Sequence, residues 1–229
     1  MSSLTTTSTN QPLTTEPPPQ FPYFPHFLDL PLEIRLQIYR LLLTSPLLPK
    51  LARLSTLRYC SDYVLPPLPI TPSLLLVSRQ LNHETTPILY RENLFAAHPS
   101  LLTSLPYLVT SSRPIRHTNV AKRIRRWWLH VRLDTDARYT AEEVEAAFNG
   151  CEELRVDVWQ AQYASCGYEV LERFEGVRGV RRARVEGSVE RGFGEWLEGR
   201  MMMPMGWEVG KEGRKPGTGE YDLWTHGGR

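Results

Sequence analysis

Three cysteines, six histidines and 25 carboxylates are the groups through which this 229-residue chain could do chemistry. A nucleophilic thiol needs a histidine within hydrogen-bond reach. Cys151 follows a predicted helix stop and Cys166 precedes a predicted helix, whose N-terminal end would lower a thiol pKa. Neither has a histidine beside it in sequence, and His130 could approach only through the fold. Both therefore read as small buried or loop residues. Glu142, Glu143, Glu145, Glu152, Glu153, Glu169, Glu172 and Glu175 fall on predicted helix surfaces, often beside arginine. That pattern is a solvated helix face, since paired acid/base carboxylates need a pocket. Gly192-x-Gly194 with Gly199 lacks phosphate-loop spacing, and His83-Glu84 lacks the second histidine of a zinc-protease helix. No catalytic, cofactor-binding or metal-ligating residue is assigned, and the chain reads as non-enzymatic.

Cys60, Cys151 and Cys166 are odd in number and far apart, with no C-x-x-C pair. Neither a disulfide framework nor a structural zinc site is indicated, which suits a reducing compartment, cytoplasm or nucleus. The run Lys122, Arg123, Arg125, Arg126 before Trp127-Trp128 is the best nucleic-acid feature, because alternating cations and aromatics grip phosphate and stack bases. An acidic stretch comes after it, and the net charge is only +2, which argues against a dedicated nucleic-acid binder. Residues 1–20 lack the basic start and apolar run of a secretory signal. No stretch approaches the roughly 18 consecutive apolar residues of a membrane span.

The elements that must position these side chains change character along the chain. All 15 glycines lie at or after Gly150, while 17 of the 19 prolines lie at or before Pro114. Residues 1–20, rich in Ser, Thr, Pro and Gln, read as a disordered tail. Phe21 to Phe27 reads as an extended segment packed on the helical module. A first helix starts near Leu30, with Pro31 at its first position, Glu33 near its positive end and Pro46 beyond its stop. Ile34, Ile38, Leu41 and Leu42 form an apolar stripe at helical spacing. After a Pro-dense loop, Thr71 and Pro72 open a second helix, which Pro87 breaks before a short turn carrying Ile88, Leu89 and Tyr90. Leu94-Phe95 suggests a short strand, and Ser100 to Val109 a short helix.

From about Ile124 the period changes. Trp127, Leu129, Val131 and Leu133 alternate with Trp128, His130, Arg132 and Asp134, as in a strand. Thr140-Ala-Glu-Glu143 is a capping box opening a helix that Asn149-Gly150 stops. Leu154, Val156 and Val158 mark a second strand, Val170, Leu171 and Phe174 a second helix, Ala183 and Val185 a third strand, and Phe193, Trp196 and Leu197 a last helix. The strand positions Leu129, Leu154 and Ala183 are spaced by 25 and 29 residues, close to a leucine-rich-repeat period. Strands joined by helices should run parallel. A parallel sheet covered on both sides would read as continuous Val/Ile/Leu, so alternation predicts one open face. That face would carry Trp128, His130, Arg132, Arg155, Asp157, Trp159, Arg182, Arg184 and Glu186. Met201 to Met205 could finish the last helix, and residues 201–229 read as a hairpin or a tail.

The N-terminal half carries two ordered blocks. Leu-Asp-Leu-Pro-Leu-Glu-Ile-Arg-Leu-Gln-Ile-Tyr-Arg-Leu-Leu-Leu (Leu28 to Leu43) stands after Phe-Pro-His-Phe, and Leu-Leu-Val-Ser-Arg-Gln-Leu-Asn-His-Glu (Leu75 to Glu84) precedes Pro-Ile-Leu-Tyr-Arg-Glu-Asn-Leu-Phe (Pro87 to Phe95). Together they resemble the F-box-like and two-EXR domains common in filamentous fungi. The resemblance implies a helical module that binds a Skp-family adaptor of a cullin–RING ubiquitin ligase, with leucine-rich repeats behind it holding the substrate. Leu30, Pro31, Ile34, Ile38 and Leu42 are the candidates for the adaptor contact; the alternative is that they form the internal core between the halves. The chain departs from the F-box pattern in the long gap between the blocks and in carrying Leu81-Asn82-His83 where a closing Trp usually stands. The expected architecture is α+β: a tail (1–20), a helical module (21–110), a parallel strand–helix repeat with helices on one face (120–200), and a C-terminal hairpin or tail (201–229). The expected function is protein interaction, as a substrate adaptor or as a stand-alone scaffold, by a chain that is monomeric outside its complex; weak nucleic-acid binding is the other alternative.

Overall fold

A computed structural model describes residues 26–46, 48, 69–161 and 166–206. The expected N-terminal tail, the segment before His26, most of the Pro-dense loop with Cys60, and the C-terminal hairpin or tail beyond Gly206 lie outside the described residues. The class is α+β: a helical part precedes a five-stranded, mostly parallel sheet.

The helical part holds α1 (Leu32–Leu43), a tight turn at Pro72–Leu76, and α2 (Arg79–Pro87), which runs into a wider helical turn at Ile88–Glu92. The second helix is thus interrupted, against the continuous helix predicted from Thr71. Ser78 is the cause: its backbone is extended, and its hydroxyl accepts the Leu81 N–H at 3.2 Å, opening a new helix. Tyr39 and Leu43 of α1 bury against Leu81 and Ile88. A second cluster of Leu48, Ile70, Leu89 and Val109 lies between this part and the sheet. Asn93 closes the junction, donating to the carbonyls of Leu43 and Leu89 at 2.7 and 3.0 Å.

The sheet comprises β1 (Phe95–His98), β2 (Leu102–Tyr107), β3 (Arg126–Arg132), β4 (Glu153–Trp159) and β5 (Arg182–Gly187), in spatial order β2-β1-β3-β4-β5. Within it, β1 and β2 pair antiparallel and the other neighbours pair parallel. Between the strands lie α3 (Thr118–Ala121), α4 (Ala141–Phe148) and α5 (Glu169–Glu172), with α6 (Arg191–Met201) last. The helix predicted over Ser100 to Val109 is a strand instead. Pro106 cannot sit inside a helix without loss, and here it lies on the sheet's outer strand, where a missing N–H costs little.

Register explains the alternation. Trp127, Leu154 and Ala183 stand side by side, as do Leu129, Val156 and Val185. All six are buried with Val144 and Phe148 of α4, Val170 and Leu171 of α5, and Phe193, Leu197 and Met201 of α6. The helices therefore cover one face. The capping box of α4 is formed, Thr140 accepting the Glu143 N–H at 3.3 Å and Glu143 accepting the Thr140 N–H at 2.9 Å. Gly187 ends β5 at φ 105°, where a Cβ would run into the Val158 carbonyl, so glycine is required there.

Candidate protein-interaction surfaces

The face opposite the helices is built from the alternate residues of β3, β4 and β5, in rows set by the parallel register. Arg126, Glu153 and Arg182 form the first row; Trp128, Arg155 and Arg184 the second; His130, Asp157 and Glu186 the third; Arg132 and Trp159 the fourth. All nine predicted face residues are brought to this side.

One of them is buried, and His130 and Asp157 are only partly accessible. Trp128 is only 4% accessible, because the sheet continues past β3. Ala96 of β1 pairs beside Trp128, Tyr107 of β2 pairs beside Ala96, and Leu94 completes the cluster. The small Ala96 leaves room for the indole. The expectation of an exposed Trp128 fails because the alternating pattern marks three strands and gives no sign of β2. Trp128 is part of a second apolar layer, and Trp159, 37% exposed, is the aromatic that meets solvent.

Glu153 organises the first two rows. Expected on a helix surface, it instead opens β4, with a side chain 4% exposed. Arg126 reaches it at 2.6 Å, Arg155 at 2.6 Å and Arg182 at 3.3 Å. Burial pushes the Glu153 carboxyl up, but the hydrogen bonds and the positive charges of Arg126 and Arg155 together outweigh it and hold the carboxyl below its ordinary range. Arg126 also donates to the Glu92 carbonyl, so the one member of the basic run that lies on the face is already engaged. In the third row His130 Nδ1 lies 3.3 Å from Asp157. In the fourth, Arg132 stacks on the Trp159 ring, 4.6 Å from its centroid, and grips Asp134 with two hydrogen bonds of 3.0 and 2.8 Å.

Both edges of the sheet are blunted. β2 carries Pro106. On β5, the Val185 N–H donates to Glu198 of α6 at 2.8 Å, and α6 packs along the strand. Neither edge offers a partner strand an uninterrupted ladder.

The second surface is on α1. Its inward positions are Arg35, Tyr39 and Leu43. The predicted stripe faces outward: Leu41 is 81% exposed, and Ile34 and Leu42 are exposed with Pro31, while Leu30 and Ile38 are partly covered. Leu32, Leu76 and Val77 are also exposed. The alternative that Ile34 and Leu42 form an internal core therefore fails.

Sequence reasoning missed what holds this surface in place. Arg35, 8% exposed, bonds Glu84 of α2 through Nε at 3.1 Å and Nη2 at 2.8 Å, and donates through Nη1 to the carbonyls of Leu28 and Leu30 at 2.9 and 2.6 Å. Glu84 also accepts from Tyr39 at 2.8 Å and Gln80 at 3.0 Å. The Arg35 bonds hold the Glu84 carboxyl down at about 2, against a smaller opposing push from burial. Burial, then the bond to Glu84, raises the Tyr39 hydroxyl to about 12. The two sequence blocks are thus joined by this buried ion pair and by a more exposed one between Arg40 and Glu92 at 3.1 Å. The only advance signal was an arginine and a glutamate inside predicted apolar helices.

Cys151 is buried in the core under the helices, and burial pushes its thiol up to about 12, the wrong direction for a nucleophile. His130 lies on the other face, paired with Asp157. Among the described residues, no three His, Cys, Asp or Glu side chains gather as a metal site, and no helix is long and apolar enough to cross a membrane. Set against protein-family models, curated proteins and solved structures, the chain matches none of them.

Proposed function

We propose that this is a non-enzymatic protein-interaction protein, an F-box-type substrate adaptor that offers α1 to a Skp-family subunit of a cullin–RING ubiquitin ligase and its open sheet face to the protein it delivers. The observation that carries the reading is the outward ridge of α1. A helix whose inner face is given to an ion pair, a tyrosine and a leucine leaves Ile34, Leu41 and Leu42 exposed on its other side. Several exposed apolar side chains on one helix are the kind of feature that marks an interaction surface. The likeness of the two N-terminal blocks to F-box-like and two-EXR domains supports the choice of partner.

The test is capture of a purified Skp-family adaptor by the full chain. Leu30→Ala with Pro31→Ala, and separately Leu41→Asp, should abolish capture. Leu41→Asp should leave the melting temperature unchanged, because the side chain is already in water. Failure of the unaltered chain to hold any adaptor would replace the ligase role with that of a stand-alone scaffold.

A further inference from the structure

We propose that the open sheet face takes an extended, acidic segment of its protein partner, with carboxylates on Arg155, Arg182 and Arg184 and an apolar side chain at Trp159, about 13 Å further along the strands at ~3.3 Å per residue. This rests on the reading of that face as a docking surface and names the chemistry of its occupant.

Charge is sorted by depth. The Glu153 carboxylate sits at the floor of the face, while Arg155, Arg182 and Arg184 are 46%, 62% and 66% exposed. Four guanidiniums, counting Arg126, have two carboxylates between them: Glu153 and, at a long 3.5 Å from Arg184, Glu198. The outer layer that a partner meets is therefore positive at this end. Planar guanidinium forks are suited to carboxylates.

The rest of the face argues for a peptide over a nucleic acid. Asp157 and Glu186 stand side by side in the next row and would repel a phosphate backbone continuing along the strands. One side of the Trp159 ring is occupied by Arg132, itself held by Asp134, so a base could not stack there. The exposed remainder of the ring suits an aliphatic or aromatic side chain. Both edges being blunted, the segment must lie across the face and read it through alternate side chains. The order down the rows is acidic, acidic, neutral or basic, apolar.

The experiment is an array of labelled heptapeptides with Ser at the even positions and Glu, Gln, Lys or Leu at each odd position, probed with the full chain at physiological ionic strength. Hits are measured by fluorescence anisotropy, with a mixed-sequence oligonucleotide as competitor. Peptides with Glu at the first two odd positions and Leu at the last should bind about tenfold tighter than their Gln counterparts. Arg182→Ala with Arg184→Ala should remove about that factor, and Trp159→Ala several-fold, each in a protein that circular dichroism and cooperative urea unfolding show to be folded. Equal or tighter binding of Gln or Lys peptides that still depends on Trp159 would overturn the acidic assignment and keep the docking face. Binding insensitive to all three substitutions, or no binding by any peptide, would overturn both. Displacement of the acidic peptides by sub-stoichiometric oligonucleotide would overturn the proposal in favour of a nucleic-acid surface.

Discussion

Replacing Glu84 tests whether one carboxylate holds the helical part together. Glu84 accepts four hydrogen bonds: two from Arg35, one from Tyr39 and one from Gln80. In Glu84→Ala the guanidinium keeps its two backbone carbonyls but loses its counter-charge, and the Tyr39 hydroxyl loses its acceptor. Breaking a buried ion pair from one side costs about 3–5 kcal/mol. The Glu84 side chain is 13% exposed, so water screens part of the loss and the lower end, about 3 kcal/mol, is expected. For a chain of this length that corresponds to a fall in melting temperature of roughly 6–12 °C. Tyr39→Phe alone should cost about 1 kcal/mol, and close to nothing when added to Glu84→Ala, since its partner is already gone. Urea unfolding of the four proteins measures all of this. Strict additivity, or a Glu84→Ala loss under ~0.5 kcal/mol as at an ordinary surface site, would refute the network. Acid gives a second handle. The folded-state pKa of Glu84 is depressed from 4.5 to about 2. Its stabilisation is therefore complete above about pH 4.5 and is lost as pH falls from there towards 2. The Glu84→Gln protein should be less stable at neutral pH and should show a flatter dependence across that window.

Two further substitutions test the sheet and a helix that covers it. Gly187→Ala forces a Cβ onto the Val158 carbonyl at a backbone angle that disfavours any side chain, and should cost at least ~2 kcal/mol in urea unfolding. Thr140→Ala removes the cap of α4 and should cost about 1 kcal/mol, with Thr140→Ser recovering most of it.

What could be read from the residues divides along a physical line. The strands β3, β4 and β5, the side the helices take and the capping box at Thr140 are legible because local rules decide them: a period of two, a period near 3.6, and a cap three residues from its partner. Strand β2 is not. Leu-Leu-Thr-Ser-Leu-Pro-Tyr, from Leu101 to Tyr107, has no clean alternation, and its pairing with β1 makes it a strand. The burial of Trp128 is hidden with it. The apolar stripe of α1 is legible as a stripe, but its direction is not. Apolar residues are inside by default, and here Arg35 and Tyr39 displace them, held by a Glu84 that lies 49 residues from Arg35. Glu153 is illegible for a related reason: a carboxylate before a strand gives no sign that three arginines from three strands will converge on it.

These two long-range arginine–carboxylate assemblies do opposite things with the same chemistry, and the contrast bears on function. Arg35 is sunk with Glu84, so its charge is spent inside and the neighbouring leucines are turned out; the surface that results is apolar. Around Glu153 the carboxylate is sunk while the outer guanidiniums stay in water; the surface that results is cationic. Apolar packing of the same volume would often serve stability as well as either ion pair, so stability alone does not account for both arrangements. Two solvent-facing surfaces of different chemistry on one scaffold are what a bridging protein requires. Each partner is then selected by a different force, the apolar one little affected by salt and the cationic one weakened by it. On the proposed bridging role, raising the ionic strength should release a protein bound on the sheet while one bound on α1 remains.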